Sequence, residues 1–174
     1  GYKAYLVGGL VRDLVLGVRN LDIDIVVEGD GIGFAKTLSK KFKAALVVHK
    51  QFGTASIFMD WPKEMSKAVK AKGEEKMKLP HKLKIDIATA RTEVYEQPAM
   101  LPVVKFGSLR NDLYRRDFTI NAMAISLTQH NFGELIDFFG GLRDINERQI
   151  RILHENSFLD DPTRILRAVR FEKR

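Results

Sequence analysis

The sequence predicts an α/β protein, more closely an α+β arrangement in which a mixed β-sheet carries its helices on one face. Short runs of alternating apolar and polar residues recur along the chain, and such runs are typical of half-buried strands. Apolar residues at helical spacing follow the first strand and again the second, which indicates helices between strands. A chain of 174 residues with 45% apolar and 29% charged residues is globular, which excludes an intrinsically disordered protein.

The first half of the chain predicts two strand–helix pairs followed by several strands. A strand over 5–7 stops at the Gly8-Gly9 turn, and the helix that follows ends at Gly17. Alternation over 21–28 predicts a half-buried strand. The other elements predicted here are a helix containing Phe34, Leu38 and Phe42, and strands at 44–48, 54–59 and 85–87.

The second half predicts a helix, a hairpin and a final helix. Asp117 is placed to cap a helix that runs through Ile120 to Ala124. Residues 131–133 predict the turn of a hairpin whose strands lie at 125–127 and 134–138. Asp161-Pro162 predicts the start of the last helix, because a carboxylate suits the N-cap and proline suits the first helical position.

The charge balance favours a polyanionic partner. The formal net charge is +7 and the pI is about 9.6, which suits nucleic acid, nucleotides or an acidic surface without choosing among them. No cysteine is present, which excludes a disulfide framework, thiolate metal sites and cysteine nucleophiles and fits a cytoplasmic protein. No apolar run approaches the roughly 18 residues that a membrane span needs, so we expect no membrane partner.

The segment Lys63–Lys84 carries a net charge of +5, most of the excess of the chain. It has little apolar periodicity and contains Gly73 and Pro80, which favours a solvated insertion. The alternative is a contact with an RNA backbone, since lysine clusters neutralise phosphates without reading sequence.

Paired carboxylates give the clearest chemical signal. Asp22 and Asp24 are two apart on a predicted strand, so their side chains share a face with α-carbons roughly 6.5–7 Å apart. Two such carboxylates repel each other unless a cation lies between them, and Mg²⁺ prefers carboxylate oxygens. Asp86, between two isoleucines, repeats the pattern on a later strand. If the two strands are neighbours, three carboxylates meet on one face, as two-metal phosphoryl transfer requires.

Two other interpretations of the acidic pair stay open on this pattern alone. Asp22 and Asp24 face water in the first, and they form the metal-binding pair of a nucleotide-sugar glycosyltransferase in the second. The Gly8-Gly9 turn just upstream favours nucleotide chemistry, because backbone N–H groups at the start of a helix can cradle a triphosphate.

Two basic motifs complete the candidate site. Arg116, Asp117 and Asn121 are either a helix cap with its ion pairs or a set that suits ribose hydroxyls and phosphate oxygens. On the last helix three arginines are three residues apart, opposite Ile165 and Val169. They form either a solvated basic face or, with the aspartates at the helix start, a surface that reads a base and holds a triphosphate. The residues are Asp160, Asp161, Arg164, Arg167 and Arg170.

Together these motifs resemble the bacterial and eukaryotic type (class II) of tRNA nucleotidyltransferase, the CCA-adding enzyme, and the related bacterial poly(A) polymerase. Four blocks match in order across nearly the whole chain. They are the glycine motif at 6–13, the acidic pair in Leu21-Asp22-Ile23-Asp24, the ribose motif at 115–122 and the acidic-acidic-x-x-Arg template motif at 160–167.

The resemblance implies a polymerase β-like nucleotidyltransferase fold, with a catalytic head over 1–153 and the start of a helical neck over 154–174. The incomplete last helix and the absence of an initial methionine predict a piece of a longer chain. The implied activity is template-independent addition of C or A from CTP and ATP to a tRNA 3′ end. The implied Mg²⁺ ligands are Asp22 and Asp24, with Asp86 as a third catalytic carboxylate. The implied nucleotide contacts are Gly8, Gly9, Arg12, Arg116, Asp117, Asn121, Asp161, Arg164, Arg167 and Arg170.

Two departures from the family pattern keep the products open. Asp160 stands where the family usually has Glu, and residues 92–112, which correspond to the flexible loop of the family, lack a clear basic-acidic motif. The alternatives are therefore an A-adding enzyme, a CC-adding enzyme or a poly(A) polymerase. Outside enzymes, the alternative is an RNA-binding module that acts through its basic charge on tRNA or another RNA.

Overall fold

The computed structural model describes residues 1–61, 81–94 and 103–172. Its strands are β1 (Lys3–Val7), β2 (Ile23–Glu28), β3 (Ala45–His49), β4 (Thr54–Met59), β5 (Leu83–Thr89), β6 (Arg91–Val94), β7 (Val103–Phe106), β8 (Ala124–Ser126) and β9 (Leu135–Ile136). Its α-helices are α1 (Gly9–Val15), α2 (Gly31–Phe42), α3 (Leu109–Tyr114), α4 (Gly141–Asn146), α5 (Ser157–Asp160) and α6 (Thr163–Glu172). Short 3₁₀ turns lie at Lys50–Phe52, Thr119–Asn121 and Gln129–Asn131.

A mixed sheet organises the chain, as the sequence predicts. Its strand order is β3-β4-β5-β2-β1-β8-β9, and β6 pairs with β7 in a separate two-stranded ribbon. The pair β2 and β5 is parallel, and the other neighbours in the sheet are antiparallel. The parallel pair lies at the centre, so the two strands that carry the acidic residues are neighbours.

Both faces of the sheet are covered, and the prediction of helices on one face is wrong. On one face, Ile25, Val27 and Ile87 form a core with Ala35 of α2. On the other face, Val26 packs in a second core that includes Leu109 and Leu113 of α3, as well as Val7, Ala122 and Ala124. The second half of β2 is therefore buried on both sides, as its apolar run Ile25-Val26-Val27 indicates. The alternating first half of the strand predicts burial on one side only.

The predicted helix after Asp117 is also wrong. Phe118 is extended and buried, a single 3₁₀ turn follows, and Ala124 already belongs to β8, where it pairs with Val7 of β1. Pairing with the sheet leaves too few residues for a helix, so tertiary contacts override the local preference. The sequence prediction also missed the β6–β7 ribbon and α3, while the other strands, the first two helices, the hairpin and the last helix are confirmed.

A buried aspartate fixes this 3₁₀ turn through hydrogen bonds. Asp144 of α4 is fully buried, accepts a hydrogen bond from Thr119 Oγ1, and accepts two from Arg151, at 3.0 and 2.8 Å. The backbone N–H of Thr119 donates to the carbonyl of Arg151 at 3.0 Å. Gly141 lies so close to the Thr119 carbonyl that an added β-carbon would fall 2.3 Å from the oxygen.

The last helix buries Arg164 and exposes its apolar residues. Asp161 accepts hydrogen bonds from the backbone and side chain of Thr163 at 3.0 and 2.6 Å, which confirms the predicted helix start. Arg164 is only 4% exposed, whereas Leu166 is 75% exposed. The interpretation as a solvated basic face is therefore wrong for Arg164.

The basic segment predicted at Lys63–Lys84 lies outside the described residues except for positions 81–84. Within the part of the chain that the structure describes, no helix is both long and apolar enough to cross a membrane.

Replacing Asp144 by alanine tests this buried clamp. The variant removes the hydrogen-bond acceptor of Thr119 and of the partly exposed Arg151, so we expect the free energy of unfolding to fall by about 2–3 kcal/mol. Urea unfolding followed by circular dichroism measures the change. Asp60→Ala, at an exposed position, is the control and is expected to change stability by less than about 0.5 kcal/mol. A loss below about 1 kcal/mol in Asp144→Ala would show that the clamp is not a stabilising element.

Candidate active site

Three carboxylates meet at the centre of the sheet. In the parallel pairing of β2 and β5, Asp24 stands directly opposite Asp86, and Asp22 lies one pleat before Asp24. One carboxylate oxygen from each residue lies within 4.8 Å of the other two. The sequence predicted this cluster on the condition that the two strands are neighbours, and the sheet order satisfies that condition.

Asp86 has two fixed partners. Ser56 of β4 donates to one of its carboxylate oxygens at 2.5 Å, and Lys84 Nζ lies 2.7 Å from the other. The hydrogen bond to Asp86 raises the pKa of the Lys84 amine, which keeps it charged. Asp86 is therefore oriented by its neighbours, while Asp22 is exposed.

The electrostatics of the cluster favour a cation. Burial, and then the nearby charge of Asp22, raise the pKa of Asp24 to about 6, and Asp86 adds to the rise. Arg116 and Lys84 oppose it without cancelling it. A divalent cation among these oxygens would remove the repulsion, and an all-carboxylate donor set suits a hard ion such as Mg²⁺. The residues present therefore fit a metal site.

The glycine turn brings the backbone against this cluster. Gly8 has a φ of +73°, which favours glycine. A β-carbon added to Gly8 would lie 3.0 Å from Arg116 Nη1 and 3.8 Å from a carboxylate oxygen of Asp24. A side chain would therefore crowd the arginine beside the acidic cluster. Gly9, the next residue, begins α1.

A fully buried aspartate holds two arginines at the site. Asp112 of α3 accepts hydrogen bonds from Arg115 Nε and Nη2 at 3.0 and 2.8 Å, and from Arg116 Nη2 at 3.0 Å. Arg115 Nη1 also donates to Glu93 of β6 at 3.0 Å. Charge-assisted bonds of this kind fix the direction of a guanidinium group. Both arginines are therefore preorganised.

A second network joins α1 to the turn after Asp117. Arg12 is buried and donates to Asp13 through Nε and Nη2, at 2.8 and 2.6 Å, and to Asn121 Oδ1 through Nη1 at 2.6 Å. Asn121 donates in turn to Asp117 at 3.0 Å, and Arg167 of α6 donates to the other oxygen of Asp117 at 2.8 Å. Three of the five donors of Arg12 are thus used inside the protein.

Phe171 of α6 packs against this network. The guanidinium carbon of Arg12 lies 5.0 Å from the centre of its ring, and that of Arg167 lies 5.7 Å away. Phe171 also meets Phe118 edge-on, with ring centres 5.9 Å apart. These contacts attach the last helix to the rest of the site.

Arg164 is held by internal acceptors. Its Nη1 donates to Ser157 Oγ at 2.6 Å, and its Nη2 donates to the carbonyl of Arg115 at 2.8 Å. Its Nε lies 3.9 Å from Asp161, whose side chain is 40% exposed. The predicted Asp161–Arg164 pair is present, with Arg164 more constrained than the sequence indicates. Arg170 is exposed.

An open cleft of about 680 Å³ collects almost every predicted site residue. Its predicted members are Gly8, Gly9, Arg12, Asp22, Asp24, Arg116, Asp117, Asn121, Asp161, Arg164, Arg167 and Arg170. Asp86 lines a second cavity of about 440 Å³ that shares Asp24, Arg115 and Arg116 with the cleft. The structure therefore brings the four motifs together.

Sequence reasoning missed the residues that orient these groups. Asp112 precedes Arg115 and Arg116 by three and four residues, a helical spacing that would have indicated ion pairs had α3 been predicted. Glu93 lies 22 residues before Arg115, and Ser157 lies in a different helix from Arg164, so neither pair has the spacing of contacts within one helix.

Comparison with known proteins agrees with this geometry. Residues 4–151 match the Poly A polymerase head domain family. The chain belongs to this family. Relatives named A-adding, CC-adding and CCA-adding enzymes align with at least 97% of this chain, at identities from 33% to 48%.

The similarity is high over a limited part of each relative. The A-adding tRNA nucleotidyltransferase of Geobacter sulfurreducens is 48% identical over 98% of this chain, which spans 17% of that relative. The solved structure of a CCA-adding enzyme in an apo form superposes with a TM-score of 0.83 at 52% identity, covering 99% of this chain and 36% of that one. The Thermotoga maritima CCA-adding enzyme complexed with tRNA superposes with a TM-score of 0.76 at 49% identity, covering 99% and 34%.

Replacing Asp24 by asparagine tests the electrostatic strain in this head domain. Because the pKa of Asp24 is raised in the folded protein, this side chain costs no stability below about pH 4. The free energy of unfolding then falls as the pH rises through about 6, where Asp24 ionises. In the metal-free protein, Asp24→Asn avoids that loss, and we expect a gain of about 1 kcal/mol at pH 8 after allowance for partial exposure. Thermal unfolding in chelator between pH 4 and pH 8 measures the effect.

The gain in stability of Asp24→Asn is expected to vanish near pH 4, because the wild-type aspartate is then protonated and neutral like the asparagine. Asp60→Asn, at an exposed position, serves as the matched control, and its melting temperature is expected to change with pH as that of the wild type does. A gain that stays constant across the pH range would contradict a charge-based origin.

Proposed function

We propose that the protein containing this chain is a template-independent RNA nucleotidyltransferase that adds C, A or both to the 3′ end of tRNA. The observation that carries the proposal is the juxtaposition of three carboxylates with an arginine-lined cleft beside the Gly8 turn. The 3′-hydroxyl of the RNA attacks the α-phosphate of ATP or CTP. A new bond from the 3′-oxygen to phosphorus forms, the bond to the bridging oxygen breaks, pyrophosphate leaves, and the hydroxyl proton passes to solvent.

In this proposal, residues 1–153 form the catalytic head and residues 154–174 begin a helical neck. The protein acts in the cytoplasm, where tRNA is its partner. The RNA-bound relative supports this choice of partner, since the protein chain of that tRNA complex superposes on this chain.

Asp22 and Asp24 would hold Mg²⁺, and Asp86 would complete the acidic set. When bound there, Mg²⁺ would lower the pKa of the attacking hydroxyl and neutralise charge on the transferred phosphate. The protein fixes the donor oxygens through the register of β2 and β5 and through the contacts of Asp86 with Ser56 and Lys84. Burial, and then repulsion from Asp22, raise the pKa of Asp24, and a cation among these oxygens would offset the repulsion.

The triphosphate and ribose lie along the cleft wall formed by the glycine turn and the turn after Asp117. Gly8 and Gly9 let the phosphates approach the backbone, and Arg12 and Arg116 supply positive charge near them. Asp117 and Asn121 are locked to each other, so they present a rigid edge to the ribose.

The base is read by protein groups on α6 and at its start. Asp161 offers an acceptor and Arg164 a donor, which match the hydrogen-bonding edges of cytosine and adenine. Rigid placement of Arg164 by Ser157 supports selection, since a mobile guanidinium group would accept other bases. Arg167 and Arg170 contribute charge along the same wall.

The similarity of the sequence favours addition of A, alone or after C. Relatives named A-adding are 48%, 45% and 42% identical to this chain and solved enzymes named CCA-adding are 52% and 49% identical, against 38% for a relative named CC-adding. The alternatives to addition of both C and A are an enzyme restricted to A, an enzyme restricted to CC, and a poly(A) polymerase.

One assay separates these alternatives. Full-length protein is incubated with tRNAs that lack A, CA or CCA at the 3′ end, with ATP and CTP offered separately and together. Addition of one A to tRNA ending in CC is the expected minimum, and the lengths of the other products identify CC, CCA or poly(A) activity. Salt-sensitive RNA binding with no extension of any tRNA would instead support an RNA-binding module.

Replacing Asp22 by alanine tests the role of the acidic pair. The change removes a ligand that acts in the transition state, so we expect kcat to fall by at least about a hundredfold while the Kd for ATP changes little. Single-turnover extension and equilibrium ATP binding measure the two quantities, and chelation of divalent ions is expected to abolish extension in the parent. Asp60→Ala is the matched control. The proposal fails if Asp22→Ala extends tRNA as fast as the parent.

A further inference from the structure

We propose that an aromatic surface on the exposed side of α3 stacks an unpaired base of RNA. The residues of this surface are Arg110 and Tyr114 of α3, Phe138 and Phe139 after β9, and His154 before α5. None of them lines the cleft or the second cavity, so the surface is separate from the candidate active site. The inference rests on the proposed function, in which RNA is a substrate, and gives that RNA an additional contact.

Helix α3 presents a cation and a ring to solvent together. Arg110 and Tyr114 are four residues apart, which places them one turn apart on the same side of the helix. Both are exposed, Tyr114 by 47%, whereas Leu109 and Leu113 are buried in the second core. Because the buried leucines fix the helix, the exposed pair has a fixed place.

Four rings form a row beside Arg110. The ring centre of Tyr114 lies 5.2 Å from that of His154 and 5.7 Å from that of Phe139, and the ring centres of Phe139 and Phe138 lie 6.1 Å apart. Phe139 packs against the second core, which anchors the row, while Phe138 is 42% exposed. Rings that are fixed before a ligand arrives need little ordering on binding, so Tyr114 and Phe138 suit a flat base.

Arg110 lies over two of these rings and keeps its donors open. Its guanidinium carbon is 5.4 Å from the ring centre of Phe138 and 5.5 Å from that of Phe139. Within the described part of the chain, Arg110 makes no hydrogen bond or ion pair, whereas Arg115 and Arg116 both pair with a buried carboxylate. A guanidinium plane held against rings can stack on a base and can also donate to a phosphate.

Positive charge borders the rings. A β-carbon added to Gly140, the residue after Phe139, would lie 3.3 Å from Arg151 Nη2 and 4.0 Å from Arg143 Nη2, so both guanidinium groups lie beside it. Arg143 is exposed and Arg151 is half-buried. The two arginines share the single carboxylate of Asp144, at 3.9 and 2.8 Å, which leaves a net positive charge at this end of the row.

The chemistry of the surface favours a nucleotide over an apolar protein segment. An apolar partner would cover the donors of Arg110 without giving them acceptors, which costs free energy. An RNA strand offers phosphate oxygens to the arginines and a base to the rings at the same time. Asp137, the acidic residue beside Phe138, accepts four hydrogen bonds from the backbone of residues 139–142, so its carboxylate is engaged at the start of α4.

Replacing Tyr114 tests the stacking contact. In the full-length protein, Tyr114→Leu removes the ring and Tyr114→Phe keeps it, and the Kd for an end-truncated tRNA is measured at equilibrium. We expect this Kd to rise at least about fivefold in Tyr114→Leu and to stay within about twofold of the parent in Tyr114→Phe, while the Kd for ATP stays within about twofold in both. Phe132→Leu is the matched control, because this exposed ring has no ring or cation contact within the described residues. Its Kd for tRNA is expected to equal that of the parent.

Replacing Arg110 tests the charge. We expect Arg110→Gln to raise the Kd for the same tRNA at least about threefold and to reduce the slope of log Kd against log salt concentration by about 0.7, the value for one phosphate contact with a single strand. Lys40→Gln removes an exposed charge from α2, on the other face of the sheet, and is expected to leave both quantities unchanged. Thermal unfolding shows whether each variant is folded, and Arg110→Gln decides the test if Tyr114→Leu is not.

Photo-crosslinking locates the contact in the parent protein. The tRNA carries 5-iodouridine at its unpaired positions, because the iodinated base reacts with an aromatic ring stacked on it, and the crosslinked peptides are sequenced. Crosslinks to Tyr114, Phe138 or His154 support the proposal. Crosslinks confined to other segments overturn it, and so do unchanged Kd values for tRNA in Tyr114→Leu and Arg110→Gln, with or without a loss of stability. If the parent extends no tRNA, the proposed function fails, whereas tRNA binding and crosslinking still decide this proposal.

Discussion

Electrostatic repulsion among three carboxylates is the constraint around which the rest of the structure is arranged. The parallel register of β2 and β5 sets Asp24 opposite Asp86, and the pleat places Asp22 on the same face. Burial, and then this repulsion, raise the pKa of Asp24, which is a cost to the metal-free fold that a cation among the carboxylates would relieve. Two apolar cores hold these strands in place against that repulsion, one on each face of the sheet.

Buried acid–base pairs position the positive side of the site. Asp112 directs Arg115 and Arg116, and Asp117 directs Arg167. Each pair fixes a guanidinium group before any ligand arrives, which reduces the ordering that binding requires. Arg116 also lies against Gly8 and influences Asp24, so the glycine turn, the acidic cluster and the arginines form one connected unit.

Much of this unit can be predicted from the sequence because its signals are local. The alternation around Asp22 and Asp86 and the cap at Asp161 depend on residues only a few positions apart. What could not be predicted depends on distant contacts. The turn after Asp117 resembles a helix start until β8 is known to pair with β1, and the inward direction of Arg164 depends on Ser157 and on the carbonyl of Arg115.

The most direct test of the central claim is a crystal structure of the full-length protein with Mn²⁺ in place of Mg²⁺ and a non-hydrolysable ATP analogue. The account predicts an anomalous metal peak about 2.2 Å from carboxylate oxygens of both Asp22 and Asp24, with the triphosphate beside Gly8 and Gly9. A metal bound away from these two residues, or a triphosphate on the opposite side of the sheet, would contradict it.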